Sequence, residues 1–203
     1  SEVGKVTKST PMGSLDAPFN PVSLAIGAEA SFVARTIDSD RKHLTEVLRA
    51  AADHPGTALI EIYQNCNIFN DGAFDALKDK QRSEEALIRL EHGQPIRFGA
   101  DGARGVVRDR RTGDLKVVTV TPENEADVLV HDAHSASPTT AFALSRLADP
   151  DTLHHTPVGV FRSVERPVYD AQMAEQLDTA VEQKGKGDLA ALLAGGDTWT
   201  VVG

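Results

Sequence analysis

Apolar and polar positions settle into no rhythm until Asn20. The opening stretch SEVGKVTKSTPMGSLDAPFN lacks both helical and alternating periodicity, which is unusual for the start of a compact domain. It also lacks an initial methionine, and is expected to belong to a longer protein. From there the pattern becomes regular. NPVSLAIGAEA places Asn20 at a helix cap and Pro21 at the first helical position, where its missing N–H costs nothing. SFVARTID offers β-branched and aromatic residues for a buried strand. In DSDRKHLTEVLRAAADHPG, Leu44, Val47, Leu48 and Ala51 recur at helical spacing ahead of Pro55 and Gly56, which predicts an amphipathic helix. TALIEIYQ is a second strand. A strand, a helix and a strand in about thirty residues, with near-continuous apolar strands, predict a parallel sheet covered on both faces. Residues 1–80 are therefore expected to be the closing portion of an α/β domain.

Residues 81–203 change character. After a short helix over GAFDALKDKQ, the stretch from Glu84 to Thr121 predicts a β-meander through IRFG, GVVRD and LKVVTV, turning at Asp101-Gly102 and near Gly113. PTTAFALSRLAD then predicts a helix capped near Ser137, and PVGVFRSV a strand. VYDAQMAEQLDTAVEQ predicts a helix with Met173, Leu177 and Val181 on one face, entered through ERP at Glu165 to Pro167. KGKGD is a polar hinge before a short helix and a final strand bearing Trp199. No repeat of solenoid length recurs.

Composition narrows the function. With 40% hydrophobic and 25% charged residues, the chain is an ordinary globular one. No apolar run approaches the roughly 20 residues of a membrane span. The net charge of −9 argues against non-specific nucleic-acid binding and against docking on anionic lipid. A single cysteine excludes an internal disulfide framework, and a reducing cytoplasm is expected.

That cysteine, Cys66, stands just past the second strand, between Asn65 and Asn67 and ahead of Asn70-Asp71-Gly72. Ligands of open α/β sheets bind outside the carboxyl ends of strands, and a loop of turn-forming residues can present a thiolate there. By itself the position leaves three readings open: a small core hydrophobe, a nucleophile, or one of several ligands to a metal group. His131 and His134 in HDAH lack further donors at metal-ligand spacing. The neighbours His154 and His155 are expected to point apart. GADGARG lacks the strand-to-helix context of a phosphate loop and reads as a hairpin turn.

The run NPVSLAIGAEASFVARTIDSDRKHLTEVLRAAADHPGTALIEIYQNCNIFNDG, with TPMGS ahead of it, resembles the β subunit of 2-oxoacid:ferredoxin oxidoreductases. VHDA, PTTAFALSRL and PVGVFRSVERPVYD resemble the C-terminal extension of the 2-oxoglutarate type found in actinobacteria. The resemblance covers almost the whole chain and is weakest between Asp101 and Thr121. It implies the C-terminal part of a parallel-sheet domain that binds thiamine diphosphate and Mg²⁺, followed by a mixed β-meander and helix extension. The activity implied is oxidative decarboxylation of 2-oxoglutarate with coenzyme A to succinyl-CoA and CO₂, carried out with an α subunit. The electrons would pass through a [4Fe-4S] cluster to ferredoxin. The resemblance assigns Cys66 as the fourth cysteine ligand of that cluster, with Asn65 and Asn67 as candidate hydrogen-bond donors to its sulfurs. The family's Gly-Asp-Gly motif and CxxC pair do not occur in these residues, so this chain alone is expected to be inactive. The alternatives are the same chemistry on pyruvate or a branched-chain 2-oxoacid, or a non-catalytic assembly domain.

Residues 1–50 hold six Lys/Arg against six Asp/Glu, whereas residues 101–203 hold ten against sixteen. The less acidic half is the one expected to meet an acidic ferredoxin. Lys42 opens a helix where the macrodipole disfavours a cation, and it is the first candidate contact; Lys5 and Lys8 follow.

Overall fold

A computed structural model describes residues 3–68, 70–149, 152–196, 199, 201 and 203, with the side chains of Lys80 and Gln81 left aside. By contacts the chain divides into two compact units, Ser1–Glu165 and Arg166–Gly203.

The first unit is built on a four-stranded sheet whose strands lie in the order Ala58–Tyr63 (β2), Phe32–Ile37 (β1), Thr156–Ser163 (β7) and Leu87–Leu90 (β3). Its first helix, α1 (Pro21–Gly27), begins as the sequence predicts: the Asn20 side chain accepts from the Ser23 N–H at 3.0 Å, and Pro21 opens the first turn. Strand β1 (Phe32–Ile37) is buried along its whole length. Helix α2 (Arg41–Asp53) is capped by Asp40, whose carboxylate accepts from the His43 N–H. Strand β2 (Ala58–Tyr63) then returns parallel to β1, from Phe32 opposite Ala58 to Ile37 opposite Tyr63. The predicted strand–helix–strand crossover is thus present. Two details differ from the expectation. Leu48 is 43% exposed, so the buried stripe of α2 narrows to Val47 and Ala51. Strand β2 lies at the sheet edge and is only half-buried.

The remaining sheet partners come from far along the chain. After α3 (Asp75–Lys78) and α4 (Lys80–Ala86), β3 (Leu87–Leu90) runs parallel to β7 (Thr156–Ser163), and β7 lies antiparallel to β1 with a bulge between Val33 and Ala34. The sheet is therefore mixed. Gly159 sits where β7 crosses β3: its φ is +118°, and a Cβ there would stand 2.6 Å from the Leu90 carbonyl oxygen. The expected meander begins later than Glu84, because Leu87–Leu90 joins the large sheet. It consists of β4 (Arg97–Phe98), β5 (Arg104–Arg108) and β6 (Leu115–Thr119), all antiparallel. GADGARG forms the predicted turn, with Asp101 and Gly102 both at positive φ.

One face of β1 packs α2 through Phe32, Ala34, Val47 and Ala51. On the other face, Val33 and Phe161 join α1, the meander residues Phe98 and Val106, and Leu144 of α5 (Thr139–Ser145). Alternation along one central strand thus feeds two cores. The second unit consists of α6 (Tyr169–Lys184) and α7 (Leu189–Ala194), separated at Gly185. The strand expected over the last residues falls largely outside the described residues. Among the described residues, no helix is long and apolar enough to cross a membrane.

Candidate functional site

Strands β1 and β2 end side by side, and the loops that follow them make the candidate site. Beyond Ile37 come Asp38 and Asp40; beyond Tyr63 come Asn65, Cys66 and Asn70. The two loops are joined by the Asn65 N–H, which donates to Asp38 Oδ2 at 3.3 Å.

The Cys66 loop is closed by its own side chains. Asn65 Nδ2 donates to Asp71 Oδ1 at 2.9 Å, and Asn65 Oδ1 accepts from the Gly72 N–H at 2.9 Å. The Asn70 N–H donates to the Cys66 carbonyl at 2.8 Å across an isolated antiparallel bridge. Gly72 has a φ of +75°, which favours glycine. The ring of Phe74 stacks on Tyr63 with centroids 4.6 Å apart, fastening the segment after the loop onto the end of β2. Cys66 itself is half-buried. Asn65 is therefore committed to loop closure, the role its residue type alone suggests, and its side chain is spent on Asp71 and Gly72.

Charge is arranged around the same edge. Burial opposes ionisation of Asp38, but Lys78, 3.0 Å away, and the N–H groups of Asn65 and Ser39 outweigh it and lower its pKa. Asp40 behaves likewise: burial raises its pKa, while Arg89, paired at 2.8 Å, and the His43 N–H lower it further. His43 is pushed down by burial and then by Arg89. Its Nδ1 lies 2.8 Å from the hydroxyl of fully buried Thr36.

Below the loop, Arg35 and Glu61 face each other in register on β1 and β2, Nε to Oε2 at 2.7 Å. The guanidinium lies between the rings of Tyr63 and Phe161, 5.1 and 5.4 Å from their centroids.

The structure brings one of the three candidate lysines to the loop that carries Cys66. The Lys5 ammonium donates to the Asn70 side chain, tying residues 3–14 to the loop. Lys42 is exposed on the first turn of α2 and lies 4.0 Å from Glu46. Lys8 is exposed. The histidine pair of HDAH is structural: His131 Nε2–H donates to the Val160 carbonyl at 2.7 Å, and His134 Nδ1–H to that of Ser163 at 2.6 Å. The rings of His154 and His155 lie 6.3 Å apart and tilted. Among the described residues, no group of three or more His, Cys, Asp or Glu could hold a metal ion. The Asn65 clamp, the Asp38–Lys78 pair and the Lys5–Asn70 link lay outside sequence reasoning. The signal available for them was the density of Asn, Asp and Gly after two adjacent strands.

The donor chemistry at Cys66 is that of one soft ligand, a half-buried thiol on a loop held at both ends. It fits a single position of an iron–sulfur cluster, whose irons take thiolates gathered from separate segments.

No protein-family model matches the chain. The 2-oxoglutarate oxidoreductase subunit KorB of Mycobacterium tuberculosis is 55% identical over 203 residues, 99% of this chain and 53% of that protein. The 2-oxoacid:ferredoxin oxidoreductase subunit beta of Saccharolobus solfataricus is 40% identical over 132 residues, 61% of this chain and 42% of that protein. Among solved structures, the 2-oxoglutarate:ferredoxin oxidoreductase from Magnetococcus marinus, with 2-oxoglutarate, coenzyme A and succinyl-CoA bound, superposes with a TM-score of 0.58. That match covers 98% of this chain and 51% of the other at 17% identity, and it speaks for the fold. The chain spans about half the length of the KorB relative it matches end to end. Along its own length, the chain is thus similar to one half of a 2-oxoacid:ferredoxin oxidoreductase β subunit.

Proposed function

We propose that the chain is part of the β subunit of a 2-oxoglutarate:ferredoxin oxidoreductase. The assembled enzyme would decarboxylate 2-oxoglutarate oxidatively, with coenzyme A, to succinyl-CoA and CO₂, and hand the electrons to ferredoxin. The observation that carries this reading is the 55% identity to KorB across the chain. In this reading residues 1–80 close the thiamine-diphosphate domain and residues 81–203 are the C-terminal extension. Thiamine diphosphate and Mg²⁺ are assigned to no residue of this chain, and the activity is that of a complex with an α subunit in a reducing cytoplasm.

Cys66 would hold one iron of a [4Fe-4S] cluster; when bound, such a cluster accepts and releases single electrons. The contribution of the neighbouring residues is positional. Asn65 and Asn70 fix the backbone on either side of the thiol, so that the ligand changes little in position between redox states. The Asp38–Lys78 and Asp40–Arg89 pairs tie the loop that follows β1 to α3 and β3.

Ferredoxin would approach the edge carrying Lys42, with Lys5 and Lys8 as secondary contacts. Lys42→Glu is expected to raise the apparent ferredoxin KM several-fold at low salt, with the effect fading as salt is added. An unchanged KM at every salt concentration would remove Lys42 from the interface.

The reaction itself is tested on the assembled enzyme, purified without oxygen and assayed for viologen reduction. Reduction that requires both 2-oxoglutarate and coenzyme A is expected. Iron-containing enzyme that reduces viologen with no 2-oxoacid would refute the proposal.

A further inference from the structure

Two Asp–Gly pairs occur in the chain, Asp71–Gly72 and Asp101–Gly102. Such pairs carry a chemistry of their own, because glycine has no side chain to hinder attack of its nitrogen on the preceding carboxyl group. In that attack a bond forms between the glycine nitrogen and the aspartate Cγ, and the amide proton leaves with the carboxyl OH as water. Addition of water then opens the cyclic imide at one of its carbonyls. One opening restores aspartate. The other leaves isoaspartate, whose main chain runs through the former side chain and is longer by one carbon.

The Cys66 loop uses both residues of the first pair. Gly72 has a φ of +75°, and a Cβ there would stand 3.1 Å from an Asp75 carboxylate oxygen. The Asp71 carboxylate accepts from Asn65 Nδ2 at 2.9 Å, and the Gly72 N–H donates to Asn65 Oδ1 at 2.9 Å. One side-chain amide thus holds both reacting groups. Ring closure needs the carboxyl carbon over the face of the Gly72 amide, and it needs the loss of the amide proton that points at Asn65. The first movement breaks the bond to Asp71 and the second the bond to Gly72.

The other pair is held at one group only. The Gly102 N–H donates to the Gly99 carbonyl at 3.0 Å, but the Asp101 carboxylate has no hydrogen bond or ion pair among the described residues. Position gives the first pair its consequence. Just before it, the Asn70 N–H donates to the Cys66 carbonyl; just after it, the Phe74 ring stacks on Tyr63. A carbon inserted between these anchors shifts one against the other, and the Cys66 bridge with it.

We propose that Asp71–Gly72 is a latent site of isoaspartate formation, and that Asn65 holds it closed. This is independent of whether Cys66 carries a cluster.

The test follows isoaspartate by peptide mapping of the assembled enzyme during prolonged warm incubation at neutral pH, with Asp101 as the internal clock. Asn65→Ala is expected to raise the rate at Asp71 several-fold and to leave the rate at Asp101 unchanged. A rise at both positions in the same proportion overturns the proposal, since it reports a general loosening of the fold; so does an unchanged rate at Asp71. Wild type in urea supplies a second measurement that needs no variant. Unfolding removes the restraints on both pairs, so the ratio of unfolded to folded rate is expected to be several-fold larger at Asp71 than at Asp101. Equal ratios, or a larger one at Asp101, overturn the proposal.

Discussion

Glu61→Gln is the most informative single change beneath the site, because it removes one charge from a pair whose other member cannot reach water. Arg35 is 1% exposed, whereas the Glu61 side chain retains 17% exposure on the edge strand. Two unit charges centred about 4 Å apart attract by about 4 kcal/mol at an effective dielectric constant near 20. Glutamine keeps an acceptor oxygen for the Arg35 Nε–H, which restores about 1 kcal/mol. The guanidinium otherwise retains the Pro157 carbonyl at 3.3 Å and two aromatic faces. The expected loss is therefore about 3 kcal/mol, at the low end for an orphaned buried charge, or a fall of roughly 6–12 °C in Tm for a chain of this size. Urea denaturation followed by far-UV circular dichroism measures it. The double variant Arg35→Met, Glu61→Leu removes both charges and should recover most of the loss. A single-variant loss below about 1 kcal/mol, or a double variant no more stable than the single, would show that the pair does not hold β1 and β2 together.

Asn65→Ala removes the two side-chain hydrogen bonds that close the Cys66 loop and should cost about 1–2 kcal/mol. In the anaerobically purified enzyme it should lower iron content part of the way towards that of Cys66→Ser; iron equal to wild type would mean that the clamp is dispensable for the thiol's position. Gly159→Ala places a Cβ 2.6 Å from the Leu90 carbonyl at a φ of +118°, and should destabilise by roughly 3 kcal/mol or more through strain and overpacking; a denaturation midpoint within error of wild type would contradict the close β3–β7 approach. Burial lowers the pKa values of His131, His43 and His155, so near pH 6.5 the unfolded chain binds protons that the folded chain does not. Stability from this source is complete above that pH and falls as pH drops from about 7 towards 5. The urea midpoint should follow that slope and His131→Gln should flatten it; a midpoint independent of pH in this window would refute the assignment.

The crossover β1-α2-β2 was legible because each of its signals is local. Asn20 and Pro21 start a helix, the apolar runs mark strands, and Pro55-Gly56 ends α2. What the sequence concealed is long-range. Leu87–Leu90 fell inside the expected meander and PVGVFRSV read as a strand, yet nothing in either says that they pair with each other or that the second lies antiparallel to β1. An edge strand and a central strand can share the same apolar run, and so the half-burial of β2 was invisible. Arg35 and Glu61 were a signal that could have been used. Aligning FVARTI with ALIEIY as parallel neighbours sets the arginine opposite the glutamate, and that complementarity fixes the register. The Cys66 position was read from its place after a strand, but the clamps on it were not. They depend on side chains meeting across loops whose geometry no periodicity encodes.

The mixed sheet also bears on what the residues beyond 80 do for the site. Strand β7 supplies the antiparallel neighbour of β1 from Phe32 to Arg35, and it supplies Phe161, one of the two rings that flank Arg35. Its carbonyls also engage two other buried or constrained groups, Pro157 with the Arg35 guanidinium and Val160 with His131. A perturbation in Thr156–Ser163 therefore reaches Cys66 in two steps: through the environment of Arg35 to Glu61 on β2, and from the end of β2 into the loop. Destabilising Gly159 and neutralising Glu61 should consequently be non-additive, since both act on the contact between β1 and its neighbours. Urea midpoints of the two single variants and the double variant measure this coupling. A double-variant loss equal to the sum of the singles would show that β7 and β2 support β1 independently.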